Sequence, residues 1–332
     1  MINALKKNLP TNYLILLIFA VILWGFKFLY LSVETEYVFA DSLLNIELPK
    51  TQFWSFFSEF IAFGLFFLIA FLLNNTNLKI SIIKSAYQSP GFIVIVLSGL
   101  FLGLQRLTPE LLANIFVLLS INRILTIHSK HNAFTNFYDS GLLLSLASFF
   151  YINIIALSVV ILIIAFILRI FNLREFIVFF MGLATPFVFF AGYLFLYKDI
   201  NFLQEFLEQE FFKQNTEKYT SLNFIISLIL FIMLIASIIY RIFVSNFKKL
   251  VTRKYINISI FLCVIFSGYY VSPYSGIESM IFLFVPISLL IANFFVNTDK
   301  IISSVLIYGL IASVLVIQGI QIMYVLSNQP GY

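Results

Sequence analysis

Long apolar runs separated by short polar stretches make up most of this chain. They fall at roughly 13–31, 53–73, 91–106, 109–127, 138–151, 153–171, 175–197, 221–243, 255–272, 278–296 and 301–325. A bilayer's hydrocarbon core is about 30 Å thick and takes about 20 helical residues to cross. Inside lipid every backbone N–H and C=O needs an internal partner, which leaves helices or the strands of a closed barrel. Barrel strands are about ten residues long and alternate in polarity. The runs here are longer and apolar on all sides, so the pattern predicts an all-α, polytopic transmembrane bundle of about eleven helices. It forms a single integral membrane domain over 1–332, with larger extracytoplasmic loops at 32–52 and 198–220.

The stretch from 138 to 171 has no polar loop to divide it. Lys130 precedes it, and Arg169 and Arg174 stand at its end. Cationic loops stay cytoplasmic, so the chain must cross an even number of times between them. Two passes are expected, turning near Tyr151-Ile152-Asn153, with the first pass short or re-entrant.

Charge then sets the orientation. With the amino terminus inside, alternation places Lys6, Lys7, Lys79, Lys84, Arg123, Lys130, Arg169, Arg174, Arg241, Lys248, Lys249, Arg253, Lys254 and Lys300 on the cytoplasmic side. Lys50, Arg106, Lys198, Lys213 and Lys218 fall outside. This is the bias that orients membrane proteins, and it leaves the carboxyl terminus outside. Most acidic residues fall on the outer side; Asp139, Glu175 and Asp299 are the inner ones. The apolar stretch after Lys6 and Lys7 is longer than a signal-peptide core and reads as a retained helix.

Composition agrees. Hydrophobic residues are 61% of the 332 and charged residues 11%, whereas soluble domains carry about 25% charged. The net charge of +5 therefore reads as a topology signal and not as a nucleic-acid surface. The single cysteine, Cys263, excludes an intramolecular disulfide.

Candidate chemistry lies mainly on the outer side. Glu34, Glu36 and Asp41 follow the first helix and could act as general base or hold a divalent metal, although no cofactor is demanded. Residues 201–212 pattern as an amphipathic helix lying on the outer leaflet. Lys27 and Glu59 are charges within membrane segments, where charge is costly and tends to find a partner. Each lies a few residues outward of its helix centre, some 6–8 Å from the midplane at 1.5 Å per residue. The two helices are consecutive and antiparallel, so the side chains are expected to meet or to share a cavity. Arg106 sits in a short outer turn before Pro109. It either clamps a lipid-linked phosphate in bidentate fashion or pairs with the neighbouring Glu110. On the inner side, His128, His131 and Asp139 lack a tight metal-ligand pattern and read as solvated loop residues. Pro186 and Pro286 are expected to kink their helices. A phosphate loop, a helical His-Glu-x-x-His and a Gly-x-Ser-x-Gly elbow are absent from the sequence.

The stretch from Asn132 through Asp139 and Gly141 to Tyr151, with Leu173-Arg174-Glu175 and Gly182 to Pro186 beyond it, resembles an uncharacterised family of bacterial inner-membrane proteins. That resemblance implies a multi-pass inner-membrane location and brings no activity with it. The architecture also resembles polytopic glycosyltransferases that use polyprenyl-phosphate sugars. In those enzymes an inward-starting first helix leads at once into an outer loop with catalytic acids. Glu34, Glu36 and Asp41 occupy that place, while an adjacent acidic pair and a large carboxyl-terminal outer domain are missing. Three functions follow as expectations: a lipid-linked glycan enzyme, a non-catalytic subunit of an envelope assembly with membrane-protein partners, and a transporter or flippase.

Overall fold

The computed structural model describes residues 11–30, 38–39, 46–47, 52–80, 89–129, 133–168, 172–197, 221–244, 250–297 and 300–327. Among them are eleven α-helices: α1 (Thr11–Tyr30), α2 (Gln52–Ile80), α3 (Ser89–Ser98), α4 (Pro109–Leu125), α5 (Ala133–Phe150), α6 (Leu157–Leu168), α7 (Leu173–Tyr197), α8 (Ser221–Val244), α9 (Leu250–Val271), α10 (Met280–Asn297) and α11 (Lys300–Ser327). Two short strands, β1 (Val38–Phe39) and β2 (Ile46–Glu47), pair antiparallel between α1 and α2. Five helical spans, at Phe56–Ile80, Leu173–Leu196, Thr252–Val271, Ile277–Phe295 and Ser304–Met323, are long and apolar enough to cross a membrane. The chain is a helical membrane protein by that measure.

The helices sort by burial. In α10, 83% of the apolar span is buried, against 17% in α7. Helix α10 is therefore the central post, packed against α3, α4, α8 and α9. Helix α7 turns Val188, Phe189, Phe195 and Leu196 outward. Contiguous apolar surface of this kind on a soluble monomer would be a liability; against acyl chains it is ordinary.

The fold-back expected within 138–171 is present. Helix α5 ends at Phe150, a 3₁₀ turn covers Ile152–Ala156, and α6 follows. Gly141 lies against Phe179 and Leu183, and further along Phe149 packs on Phe187 and Phe190. Helices α5 and α7 therefore run parallel, and the chain returns between them. A Cβ on Gly141 would lie 2.2 Å from the Phe179 carbonyl oxygen, and one on Gly182 would lie 2.2 Å from that of Tyr138. The two glycines let the backbones touch, the usual device where helices associate in lipid.

One expected helix is corrected. The apolar run 91–106 is not helical throughout: α3 stops at Ser98, and a 3₁₀ turn at Leu102–Leu104 follows. At 1.5 Å per residue, ten residues reach only about 15 Å, half the hydrocarbon thickness. Gly99 follows α3 directly and Gly103 lies within the 3₁₀ turn, and glycine is a poor helix interior residue. Hydropathy could not see this break, because the non-helical residues are as apolar as the helical ones.

Candidate functional site

Helix α1 is apolar on both faces, yet only one is buried. Leu16, Ala20, Leu23, Trp24 and Lys27 line the inner stripe, while Leu14, Leu17, Ile18, Val21 and Ile22 face outward. The spacing of the inner set is helical, and it carries Lys27 into the bundle. Helix α2 does the same for Glu59, which shares a stripe with Ala62, Phe66, Ile69 and Leu73. The charges meet: Lys27 Nζ is 3.1 Å from Glu59 Oε1, with side chains 7% and 8% exposed. The pairing expected from their matched depth is therefore present.

Lys27 also donates to the backbone carbonyl of Gln105, in the broken segment after α3. Non-helical backbone at membrane depth survives only when protein groups satisfy it, and here side chains supply those groups. Gln321 Nε2 donates to the Leu100 carbonyl, and its Oε1 accepts from the Leu102 N–H, both at 3.0 Å. Gln105 Nε2 donates to the Ser98 carbonyl at 3.3 Å, and Trp24 Nε1 donates to Ser98 Oγ at 3.3 Å. Gln318, on the same helix as Gln321, donates to the Leu23 carbonyl at 3.0 Å. Two helices, α1 and α11, thus clamp the segment that presents Arg106, with Glu59 of α2 behind Lys27.

Arg106 has an acidic partner far along the chain. Its Nη2 lies 3.0 Å from Glu278 Oε1, with side chains 33% and 21% exposed. Glu278 lies in the 3₁₀ turn Ile277–Ser279 that leads into α10. Glu110 occupies the first turn of α4, where Thr108 caps the helix by accepting from Leu111 N–H at 3.2 Å. Glu110 acts through space on Tyr151 and Tyr269. Those two phenols hydrogen-bond to each other, and Asn153 lies in hydrogen-bonding reach of both. Arg106 also acts on Lys27 through space. One end of the bundle therefore collects Lys27, Glu59, Arg106, Glu110, Tyr151, Asn153, Tyr269 and Glu278. The opposite end carries Arg123, 3.6 Å from Asp139.

Glu34, Glu36 and Asp41 lie outside the described residues, as do His131 and the 201–212 stretch. The segment bearing the three acids leaves α1 and enters α2 at the Arg106 end, since α1 ends at Tyr30 and α2 begins at Gln52. Among the described residues no group of three or more His, Cys, Asp or Glu side chains gathers as for a metal ion. A cavity of about 30 Å³ lies between α2, α4, α9 and α10, lined by Asn114, Asn122, Tyr255, Ser259 and Pro286 among mainly apolar neighbours. Lys27, Glu59 and Arg106 do not line it.

The residues that sequence reasoning missed are amides and a distant acid. Gln318 and Gln321 share a face of α11 at a spacing of three, and two glutamines so placed in an apolar helix are the signal that was available. Glu278 is 172 positions from Arg106, and no local pattern joins them. Comparison with protein-family models, with curated proteins and with solved structures finds no match to this chain.

Proposed function

We propose that the chain is a multi-pass protein of the bacterial inner membrane that acts on a lipid-linked glycan precursor, as a glycosyltransferase-like enzyme working at its Arg106 end. The observation behind this reading is the convergence at that end. The half-exposed Arg106–Glu278 pair, two phenols, an amide and Glu110 gather where the segment with Glu34, Glu36 and Asp41 joins the bundle. In the step envisaged, one of those carboxylates takes the proton of an acceptor hydroxyl. The hydroxyl oxygen bonds to the anomeric carbon as the bond from that carbon to the phosphate oxygen breaks. The departing lipid phosphate carries away negative charge, which a guanidinium meets with two parallel N–H donors. Glu278 pairs with Arg106 until the phosphate competes for it.

The test uses the full chain in lipid nanodiscs. Polyprenyl phosphate should raise the thermal unfolding midpoint, and Arg106→Ala should abolish the rise. Sugar transfer from a polyprenyl-phosphate donor should fall at least 100-fold in the carboxylate variant that removes the base, in line with the usual worth of general base catalysis. Full transfer by Glu34→Ala, Glu36→Ala and Asp41→Ala alike would sink the reading.

A second reading, a non-catalytic subunit of an envelope complex, draws on a separate observation: the buried charges of Lys27 and Glu59 are matched within the chain. Lys27 is held by Glu59 and by the Gln105 carbonyl. This reading expects no response to polyprenyl phosphate, and migration in a larger assembly when native membranes are gently solubilised.

A further inference from the structure

Two buried amides beside Lys27 point to a bound molecule. Gln105 and Gln318 are 0% and 1% exposed. Each commits one of its two N–H donors, to the Ser98 and Leu23 carbonyls respectively. Their side-chain carbonyl oxygens have no partner among the described residues. Both amides border the Ser98–Gly99 peptide at the end of α3. Gln105 reaches it through the Ser98 carbonyl, and a Cβ on Gly99 would lie 3.1 Å from Gln318 Nε2. Burying an acceptor without a donor is costly in protein and more so in lipid.

The ammonium supplies the complement. Lys27 has three N–H donors, and its acceptors among the described residues are Glu59 and the Gln105 carbonyl. One ammonium N–H, one further N–H on each amide and the two amide oxygens therefore remain in one buried region. We propose that Lys27, Gln105 and Gln318 hold a single water molecule beside the Ser98–Gly99 peptide. It accepts from Lys27 Nζ and donates to Gln105 Oε1 and Gln318 Oε1. Three hydrogen bonds are the usual complement of a buried water. A monovalent cation would also suit two amide oxygens, but it would add a positive charge beside Lys27, with Arg106 already acting on the same ammonium. In a low-dielectric interior that repulsion is severe, whereas a neutral molecule avoids it. The water completes the hydrogen bonding of the Lys27 ammonium while it holds the broken segment. The inference depends on neither functional reading.

A structure of the full chain in nanodiscs, at a resolution that shows ordered water, is the direct test. A peak at hydrogen-bonding distance, about 2.7–3.2 Å, from Lys27 Nζ and both Oε1 atoms is expected. Well-ordered side chains with no peak, or with the two amides paired to each other, overturn the proposal. Thermal unfolding gives an independent check through Gln105→Leu, Gln318→Leu and the double variant. The two side chains share the water, so the double variant should lose less in midpoint than the two single losses added together. Strict additivity overturns the bridge. Midpoints should be equal in sodium, potassium and choline chloride; a sodium-specific rise that vanishes in both variants would assign the site to a cation instead.

Discussion

Two ion pairs of similar length differ in what surrounds them. Lys27–Glu59 is almost fully enclosed, whereas Arg106–Glu278 stands partly in solvent. Removing one partner of a buried pair strands the other and typically costs about 3–5 kcal/mol, while an exposed pair is worth about 0–1 kcal/mol. Lys27→Met should therefore lower the unfolding midpoint in detergent severely. Replacing both partners, as Lys27→Met with Glu59→Leu, should recover much of that loss. Arg106→Ala should change stability little, so that any effect on lipid-phosphate binding is read cleanly. Equal losses from Lys27→Met and Arg106→Ala would mean that the enclosure of the first pair does not matter. Lys27 and Glu59 were legible in the sequence because each is a charge inside an apolar run, at matched distance from its helix centre. Gln105, Gln318 and Gln321 were not, because an uncharged amide in such a run carries no sign of where its hydrogen bonds go.

At the scale of elements, the agreement and the misses have one cause. Hydropathy reports where backbone must be shielded from water, and with charge used to divide 138–171 each apolar run overlaps an observed helix, the run 91–106 only in part. It does not report whether the shielded backbone is helical, so the break after Ser98 escaped it. The turn at 151–156 was found by counting charges across it, which is topological and not local information. The tightest contact, α5 on α7, rests on Gly141 and Gly182, and no apolar periodicity distinguishes those glycines from the others. Gly141→Ala and Gly182→Ala should each destabilise by about 1–3 kcal/mol, the ordinary cost of overpacking, because backbone carbonyls lie in the way. Gly192→Ala, on the same helix as Gly182 with nothing within 4 Å of the added carbon, should be neutral or slightly stabilising, since alanine is the better helix former. Thermal unfolding of the three variants side by side checks the contact; a loss at Gly192 equal to that at Gly182 would assign the effect to something other than close approach.

For the molecule as a whole, orientation decides which reaction partners each end can meet. The Arg106 end gathers acids and phenols, and the opposite end carries Arg123 and the chain entries to α7 and α9, where Arg174, Arg253 and Lys254 cluster. Cationic segments are retained in the cytoplasm, so the Arg106 end should face out, towards lipid-linked precursors presented on the outer leaflet. The single cysteine makes this measurable without a cysteine-free background. Cys263 is 0% exposed and should not react with a membrane-impermeant maleimide in intact spheroplasts. Tyr274, 42% exposed in the turn before α10, stands at the Arg106 end. Arg174, exposed at the start of α7, stands at the other. Tyr274→Cys should label in intact spheroplasts, and Arg174→Cys only after permeabilisation. The reverse pattern would place Arg106, Glu110 and Glu278 in the cytoplasm. It would remove the outer-leaflet substrate from consideration and leave the subunit reading, which needs no particular face. Labelling of both from outside would instead mean that the chain does not return between α5 and α7, contradicting the parallel packing of those helices.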